Sequence, residues 1–497
     1  MSNIRVTYSG LIAFVVSFAS VITGTFFVII VTRRLTPDEF GTWTLVNSML
    51  FYVLILEPII SNWSSRQVAR GEKVGKTAIF TGSLFSAGGS AIFIVMMIFV
   101  SHNLGADLNI LLLAAALVPL NIINGVLGSV CLGYKPHFVS YGLFAFETSK
   151  PPIGFVFVYL LHFGIVGAFL TVILSSLIRT ILLIIAARNI ISGKIEKQTI
   201  KFWLKMSWLV TYQNIAGIIF RLDVILVSLV FHSLSILAFW GASQTIGYVV
   251  LNAGNIAQAL YSKLLATGKK ALAEETLTRT IFFAIPITAT CIVFAKPALH
   301  VLNPLYDGAI YSVWFVTLAS LFSTIKTVNY GILTSYETVD MGQQASFKAY
   351  VRSKLFSVPT LNYVSYISYV ALLALFLFVM RTPQMSQLFI VSIWSLILLV
   401  TTIPVTAYTT IIVKKQHNVN FQYGTITRYV IVAIFSSLVV FFISDGVLEY
   451  PENIFEFIVQ VIPFMLVGAF LYFGINYLID VSTKNLFRSI VKELMKK

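Results

Sequence analysis

Residues 224–262 read VILVSLVFHSLSILAFWGASQTIGYVVLNAGNIAQALYS, and no Lys, Arg, Asp or Glu interrupts them. A helix on the surface of a water-soluble protein keeps one charged or polar face, and this run has none. It is also too long for one crossing of a bilayer, which takes roughly 20 apolar residues. Polarity rises briefly at His232-Ser233, so the run divides there into the end of one span, 208–231, and a second at 234–262. Working outward, apolar runs of the same length recur at 10–31, 42–61, 77–100, 109–131, 141–161 and 165–187 before it. After it come 280–300, 309–335, 360–380, 387–413, 428–445 and 457–479. The fold expected is all-α: a polytopic membrane protein of about fourteen transmembrane helices of that length.

Composition agrees. Of 497 residues, 58% are hydrophobic and 11% charged, and mean hydropathy is +0.90. Soluble chains carry roughly 25% charged residues, and no stretch between spans is long enough for a soluble domain. The fifth span needs adjustment. From Pro151-Pro152 to the turn at His162-Phe163-Gly164 there is too little chain to cross, so this helix must begin earlier and carry Glu147 and Lys150 inside it. Cys131 and Cys291 lie in apolar segments and read as small packing residues. Arg5 precedes a long apolar run with no Ala-x-Ala-like site, which reads as an uncleaved first span.

Orientation follows from lysine and arginine, which are concentrated in cytoplasmic loops. With the N-terminus inside, 26 of the 34 Lys and Arg fall in inner segments, among them Arg66, Arg70, Lys197, Lys201, Lys414 and Lys415. Four fall outside: Arg33, Arg34, Lys296 and Arg381. This places both termini in the cytoplasm of a cell that carries the protein in its plasma or inner membrane. It also explains the net charge of +15, because inner loops meet anionic headgroups and membrane lipids are the partner; nucleic acid is not required. The tail 481–497 separates Phe487, Ile490, Val491 and Leu494 from Lys484, Arg488, Lys492 and Lys496 on a helix, the pattern of an interfacial amphipathic segment.

The remaining four bases, Lys150, Arg179, Arg221 and Lys326, lie within spans, where each costs roughly 2.5–3.5 kcal/mol at a helix centre. Arg221 lies about halfway along span seven, and Asp223 is two residues away. Two residues is roughly 200° of helix rotation, so the pair cannot close on itself. Arg221 therefore reads either as half of an interhelix ion pair or as a group facing an anionic substrate. Lys326 lies near mid-depth with Asn329 one turn on. Arg179 is within reach of the inner interface, and Glu147 and Lys150, three apart, could neutralise one another. Glu57, beside Pro58 near the inner end of span two, reads as interfacial. In span eight Gln244, Tyr248, Asn252 and Asn255 recur at three to four residues and would share one helical face; they read as cross-helix hydrogen-bond partners or as a cavity wall. At an offset of 197 residues, Trp43 aligns with Trp240 and Asn47 with Gln244, a weak repeat of the kind that relates the halves of transporters.

Several classes are disfavoured. No GxxxxGK[ST] loop is present to bind a nucleotide. The six histidines never fall at metal-ligand spacing, and no serine-nucleophile motif occurs. No cofactor is expected.

The stretch RRLTPDEFGTWTLVNSM (33–49) resembles the polysaccharide-biosynthesis flippases, which are O-antigen flippase-like members of the multidrug, oligosaccharidyl-lipid and polysaccharide exporter superfamily. FRLDVILVSL (220–229), HFGIVGAFL (162–170) and NPLYDGAIYSVW (303–314) are looser echoes. The resemblance implies two pseudo-symmetric six-helix lobes around a central cavity: 1–207, then 208–358 with 359–427, followed by two extra helices in 428–480 and the tail. It implies export of a polyprenyl- or dolichyl-phosphate-linked glycan by alternating access, with H+ or Na+ as the coupling ion and Asp223 at the position of a span-seven aspartate. Span one lacks the internal bases of the lipid II flippases, which sets this chain apart from that branch. The alternatives are an ion-coupled multidrug/cation antiporter of the same fold, and a membrane glycosyltransferase, which would need acidic catalytic groups outside.

Overall fold

Thr36 begins the first helix whose start is set by local chemistry. In the computed structural model its hydroxyl accepts from the Glu39 backbone N–H, while the Glu39 carboxylate accepts from the Thr36 N–H at 2.9 Å. This reciprocal cap, with Pro37 in the first turn, explains the Thr-Pro-Asp-Glu sequence. The structure describes residues 20, 23–254, 270–337, 351–379, 385–417, 419, 421–451, 453–481, 483–485 and 487–488.

The described residues are helical, with no strand among them. A first helix at 23–34 (α1) is followed by α2 (Pro37–Leu54), α3 (Pro58–Ala69), α4 (Gly75–Leu104), α5 (Leu108–Ala114), α6 (Leu117–Tyr134) and α7 (His137–Gly154). Next come α8 (Gly164–Ile191), α9 (Lys197–Lys205), α10 (Ser207–Phe231), α11 (Leu234–Gly247), α12 (Lys270–Val293) and α13 (Ala295–Leu302). The series ends with α14 (Ile310–Ser335), α15 (Lys354–Val379), α16 (Gln387–His417), α17 (Tyr423–Asp445) and α18 (Ile454–Ile479). The protein is a multi-pass membrane protein. Eleven helices among the described residues are long and apolar enough to cross a bilayer, and up to twelve if the bent pair α2–α3 is one span.

The difference from about fourteen has local causes. Most of the first expected span lies outside the described residues. The fifth is the helix 137–160, too polar around Glu147–Lys150 to pass a hydropathy test. As expected, it begins before Pro151 and carries both charges, and it leaves α-geometry for a π-helical turn at Phe155–Leu160. Two successive prolines remove two backbone donors, which favours such a change of winding.

Span two is broken. The axes of α2 and α3 differ by 59°. Pro58 has no N–H to continue the ladder, and the break is closed by three-residue bonds, Leu56 N–H to the Val53 carbonyl at 3.3 Å and Glu57 N–H to that of Leu54 at 3.1 Å. Because helix resumes at Pro58 and runs to Ala69, Glu57 stands at the vertex of the bend.

The chain groups into two compact units, 1–241 with 370–384, and 242–369 with 385–497. In this grouping α10, which packs on α2 and α3, lies with the first unit. Close helix crossings in that unit rest on glycine. A β-carbon on Gly41 would overlap the Leu234 carbonyl, and one on Gly241 would come 3.3 Å from Thr44 Cγ2 and 3.4 Å from the Phe40 ring. Phe40, Gly41 and Thr44 thus lie against Leu234 and Gly241. At the base of the first unit, α9 buries Trp203, whose indole N–H donates to Gln67 Oε1 at 2.8 Å, and turns Lys197, Lys201 and Lys205 outward. That is a short amphipathic helix, and it was not anticipated.

Candidate functional site

Each unit holds its own buried polar groups. In the first unit, the Lys150 ammonium lies 2.7 Å from Glu147 Oε2, and both side chains are largely buried. Arg179 on α8 is close enough to act electrostatically on the same carboxylate. Glycines make room: a β-carbon at Gly24 would stand 3.3 Å from Glu147 Oε2, and one at Gly142 would stand 3.6 Å from Arg179 Cγ. The Lys150 ammonium also lies 4.6 Å from the Phe146 ring. Glu147 therefore serves two bases. The i,i+3 pairing was legible in the sequence, whereas the approach of Arg179 from another helix was not.

Arg221 is arranged differently. Among the described residues it makes no ion pair with a carboxylate. Its guanidinium lies 5.7 Å from the Phe51 ring and 5.8 Å from the Phe220 ring. Gly217, one turn earlier, lets Phe51 approach α10, since a β-carbon there would come 2.8 Å from that ring. Asp223 is 1% exposed and accepts from the Val224 N–H at 2.7 Å. Arg221 and Asp223 both act electrostatically on Tyr52 of α2, whose hydroxyl is buried without a hydrogen-bond partner. Aromatic rings, and among the described residues no paired carboxylate, stand beside Arg221. Asn47, on the same helix as Phe51, is exposed although most of its neighbours are buried, and its amide donates back to the Trp43 carbonyl at 2.8 Å.

In the second unit Lys326 is 5% exposed. It too lacks a carboxylate partner among the described residues, and its ammonium lies 5.1 Å from the Tyr366 ring on α15. One turn on, the Asn329 amide donates to the Thr409 and Thr410 hydroxyls on α16, at 3.3 and 2.9 Å. The Asn329 carbonyl oxygen and the Tyr330 hydroxyl are buried without hydrogen-bond partners.

The expected stripe of span eight is interrupted. The Gln244 amide donates to the Tyr248 hydroxyl at 2.9 Å, one helical turn away. From Tyr248 to Gly254 the chain winds as a 3₁₀-helix, so four residues rotate roughly 120° rather than 40°, and Asn252 leaves the face that Gln244 and Tyr248 share. Asn252 donates to the Val249 carbonyl at 3.2 Å. Asn255 lies outside the described residues.

The motif segments also meet. Glu39, after capping α2, accepts from the Ile165 N–H at the start of α8 at 3.2 Å, and Trp43 stacks on Phe169 at 5.1 Å. RRLTPDEFGTW and HFGIVGAFL are thus two sides of one contact. In the second unit Asn303 caps a 3₁₀ turn by accepting from the Leu305 N–H, Asp307 lies 3.0 Å from His300, and the Trp314 indole donates to the Ile292 carbonyl.

Comparison with known proteins puts the arrangement in context. The structure is similar to that of the lipid II flippase MurJ in an inward closed conformation, with a TM-score of 0.63 and 13% identity over 97% of this chain and all of that one. The chain has the MurJ/MATE transporter fold. An inward-facing multidrug resistance MATE transporter of the MOP superfamily matches with a TM-score of 0.56 and 11% identity, over 79% of this chain and 94% of that one. An outward-facing MATE structure matches at 0.53 and 14%. No protein-family model and no curated protein matches the sequence. Neighbours with this fold are transporters, and they include both the lipid-flippase and multidrug types weighed above. Among the described residues no group of His, Cys, Asp or Glu could hold a metal ion.

Proposed function

We propose that this protein is a flippase that moves a lipid-linked oligosaccharide or polysaccharide precursor from the cytoplasmic to the outer leaflet by alternating access. The observation that carries the reading is the sorting of the four intramembrane bases. Lys150 and Arg179 share Glu147, whereas Arg221 and Lys326 have aromatic neighbours and no carboxylate partner among the described residues. A cation in a low-dielectric interior without a counter-ion is costly, and an arriving phosphate or pyrophosphate supplies the missing charge through charge-assisted hydrogen bonds. In each unit the aromatic ring beside the cation, with the amide of Asn47 in the first and those of Gln244 and Asn252 in the second, suits sugars, which present both C–H faces and hydroxyls. The polyprenyl or dolichyl tail stays in the bilayer, so only the polar head needs passage. A proton or sodium gradient, or consumption of the glycan outside, supplies the driving force, and Asp223 is the sequence's candidate for the ion site.

The similarity to MATE transporters keeps a cation antiporter as the second reading. That function favours unpaired acids in the substrate path, and the unpaired groups at these two places are bases. Reconstituted protein tested for transfer of a fluorescent polyprenyl-pyrophosphate glycan between leaflets, and separately for efflux of a cationic dye, decides between them. Dye efflux without glycan transfer would overturn the flippase reading.

A further inference from the structure

Glu57 is a partly buried carboxylate that the proposed cycle does not yet use. It stands between α2 and α3, where the axis turns by 59°. The Ser61 hydroxyl donates to its Oε1, and no base pairs with it among the described residues. The titratable groups on the elements packed around the bend include Tyr52 on α2, Lys76 on α4, Cys131 on α6, Lys201 on α9, and Arg221 and Asp223 on α10. None of them makes a hydrogen bond or ion pair with Glu57. Opposite lies Gly125 of α6, seated so closely that a β-carbon there would come 2.8 Å from Glu57 Cγ, and closer still to the carboxylate. The carboxyl group therefore fills the space that any larger residue at 125 would take.

We propose that Glu57 is a proton-binding site distinct from Asp223, and that its occupancy is tied to the angle between α2 and α3. An ionised carboxylate held in an apolar interior by one hydroxyl lacks the hydrogen bonds that would offset its desolvation. Protonation removes that cost and lets the group stay against Gly125. Release of the proton favours withdrawal of the side chain towards water. Glu57 is the vertex residue of a break closed by three-residue bonds, so withdrawal of its side chain from Gly125 is coupled, in this proposal, to a turn of α3 about it. Asp223 is a different kind of site, since it shares its surroundings with the positive charge of Arg221.

The proposal rests on the transporter reading, but its test needs no substrate. Spin labels at Asp38→Cys and Ala69→Cys, both exposed, report the distance across the bend in full-length protein reconstituted in nanodiscs, with Cys131 and Cys291 replaced by alanine. The distance should shift as pH is lowered. Glu57→Gln should hold the acid-form distance at every pH, and Asp223→Asn should leave the response in place. The infrared carboxylic-acid band that titrates with the distance change should vanish in Glu57→Gln, and Glu57→Asp should move its midpoint while keeping the response. A distance that ignores pH in the wild type, or that responds alike in wild type and Glu57→Gln, overturns the proposal. Neither result depends on which cargo the protein moves, so failure here and failure of the flippase reading are separable.

Discussion

The Lys150 ammonium lies 2.7 Å from Glu147 Oε2, while the same carboxylate also faces Arg179. One acid thus balances two bases within the first unit. Replacing Glu147 with Gln leaves two mostly buried cations uncompensated. Breaking a buried pair in this way costs about 3–5 kcal/mol, so the yield of folded protein from membranes should drop. The double variant Glu147→Gln/Lys150→Met should recover part of it, because one of the two uncompensated cations is gone while Arg179 remains. A double variant no better than the single one would show that the pair contributes no net coupling.

Arg221 should behave in the opposite way. Its neighbours are aromatic rings, so Arg221→Ala should insert at wild-type levels and lose glycan export, with Arg221→Lys partly active. Loss of folded Arg221→Ala protein would return the residue to a structural role. Export unchanged in Arg221→Ala would remove it from the substrate path.

Lys326 offers a parallel test in the second unit. Lys326→Met keeps the apolar stem beside Tyr366 and removes the charge, so it should preserve stability or raise it while abolishing transfer of the phosphate-bearing lipid. Thermal unfolding and leaflet transfer measured on the same preparation separate the two effects. Transfer that survives in Lys326→Met would exclude a phosphate contact there.

Gly41 should tolerate no side chain. Gly41→Ala forces a methyl group into the Leu234 carbonyl, and overpacking of this kind costs about 1–3 kcal/mol. The expected outcome is a lowered melting temperature, with Gly41→Val worse. By contrast Gly424, with open space around its Cα, should accept alanine with little change. Equal melting temperatures for Gly41→Ala and wild type would count against the close crossing of α2 and α11.

The charge asymmetry of the loops gives a topological expectation. Single cysteines at Lys197 or Lys415 should react with an impermeant reagent only from the cytoplasmic side, and one at Asp107 only from outside. A reversal at any of these positions would overturn the assigned orientation.

Much of this protein was legible in one dimension. A bilayer imposes a length on apolar runs, so an all-α membrane fold could be read from local composition; the sign it imposes on the loops gives an orientation that the labelling experiment tests. The capping box at Thr36 and Glu39, the early start of the fifth helix and the Glu147–Lys150 pair are also local, and sequence spacing was enough to find them. What spacing cannot give is the partner on another helix. Arg179 and Arg221 look alike in sequence, each a lone base in an apolar run. Tertiary packing brings one towards Glu147 and the other to Phe51, and this decides which charge is already balanced. The same holds for Asn252, moved off its expected face by a change of helical winding, and for Glu57, which becomes a vertex because α3 resumes beyond Pro58. Electrostatic and steric energies depend on distances through space, and only the folded chain sets those distances.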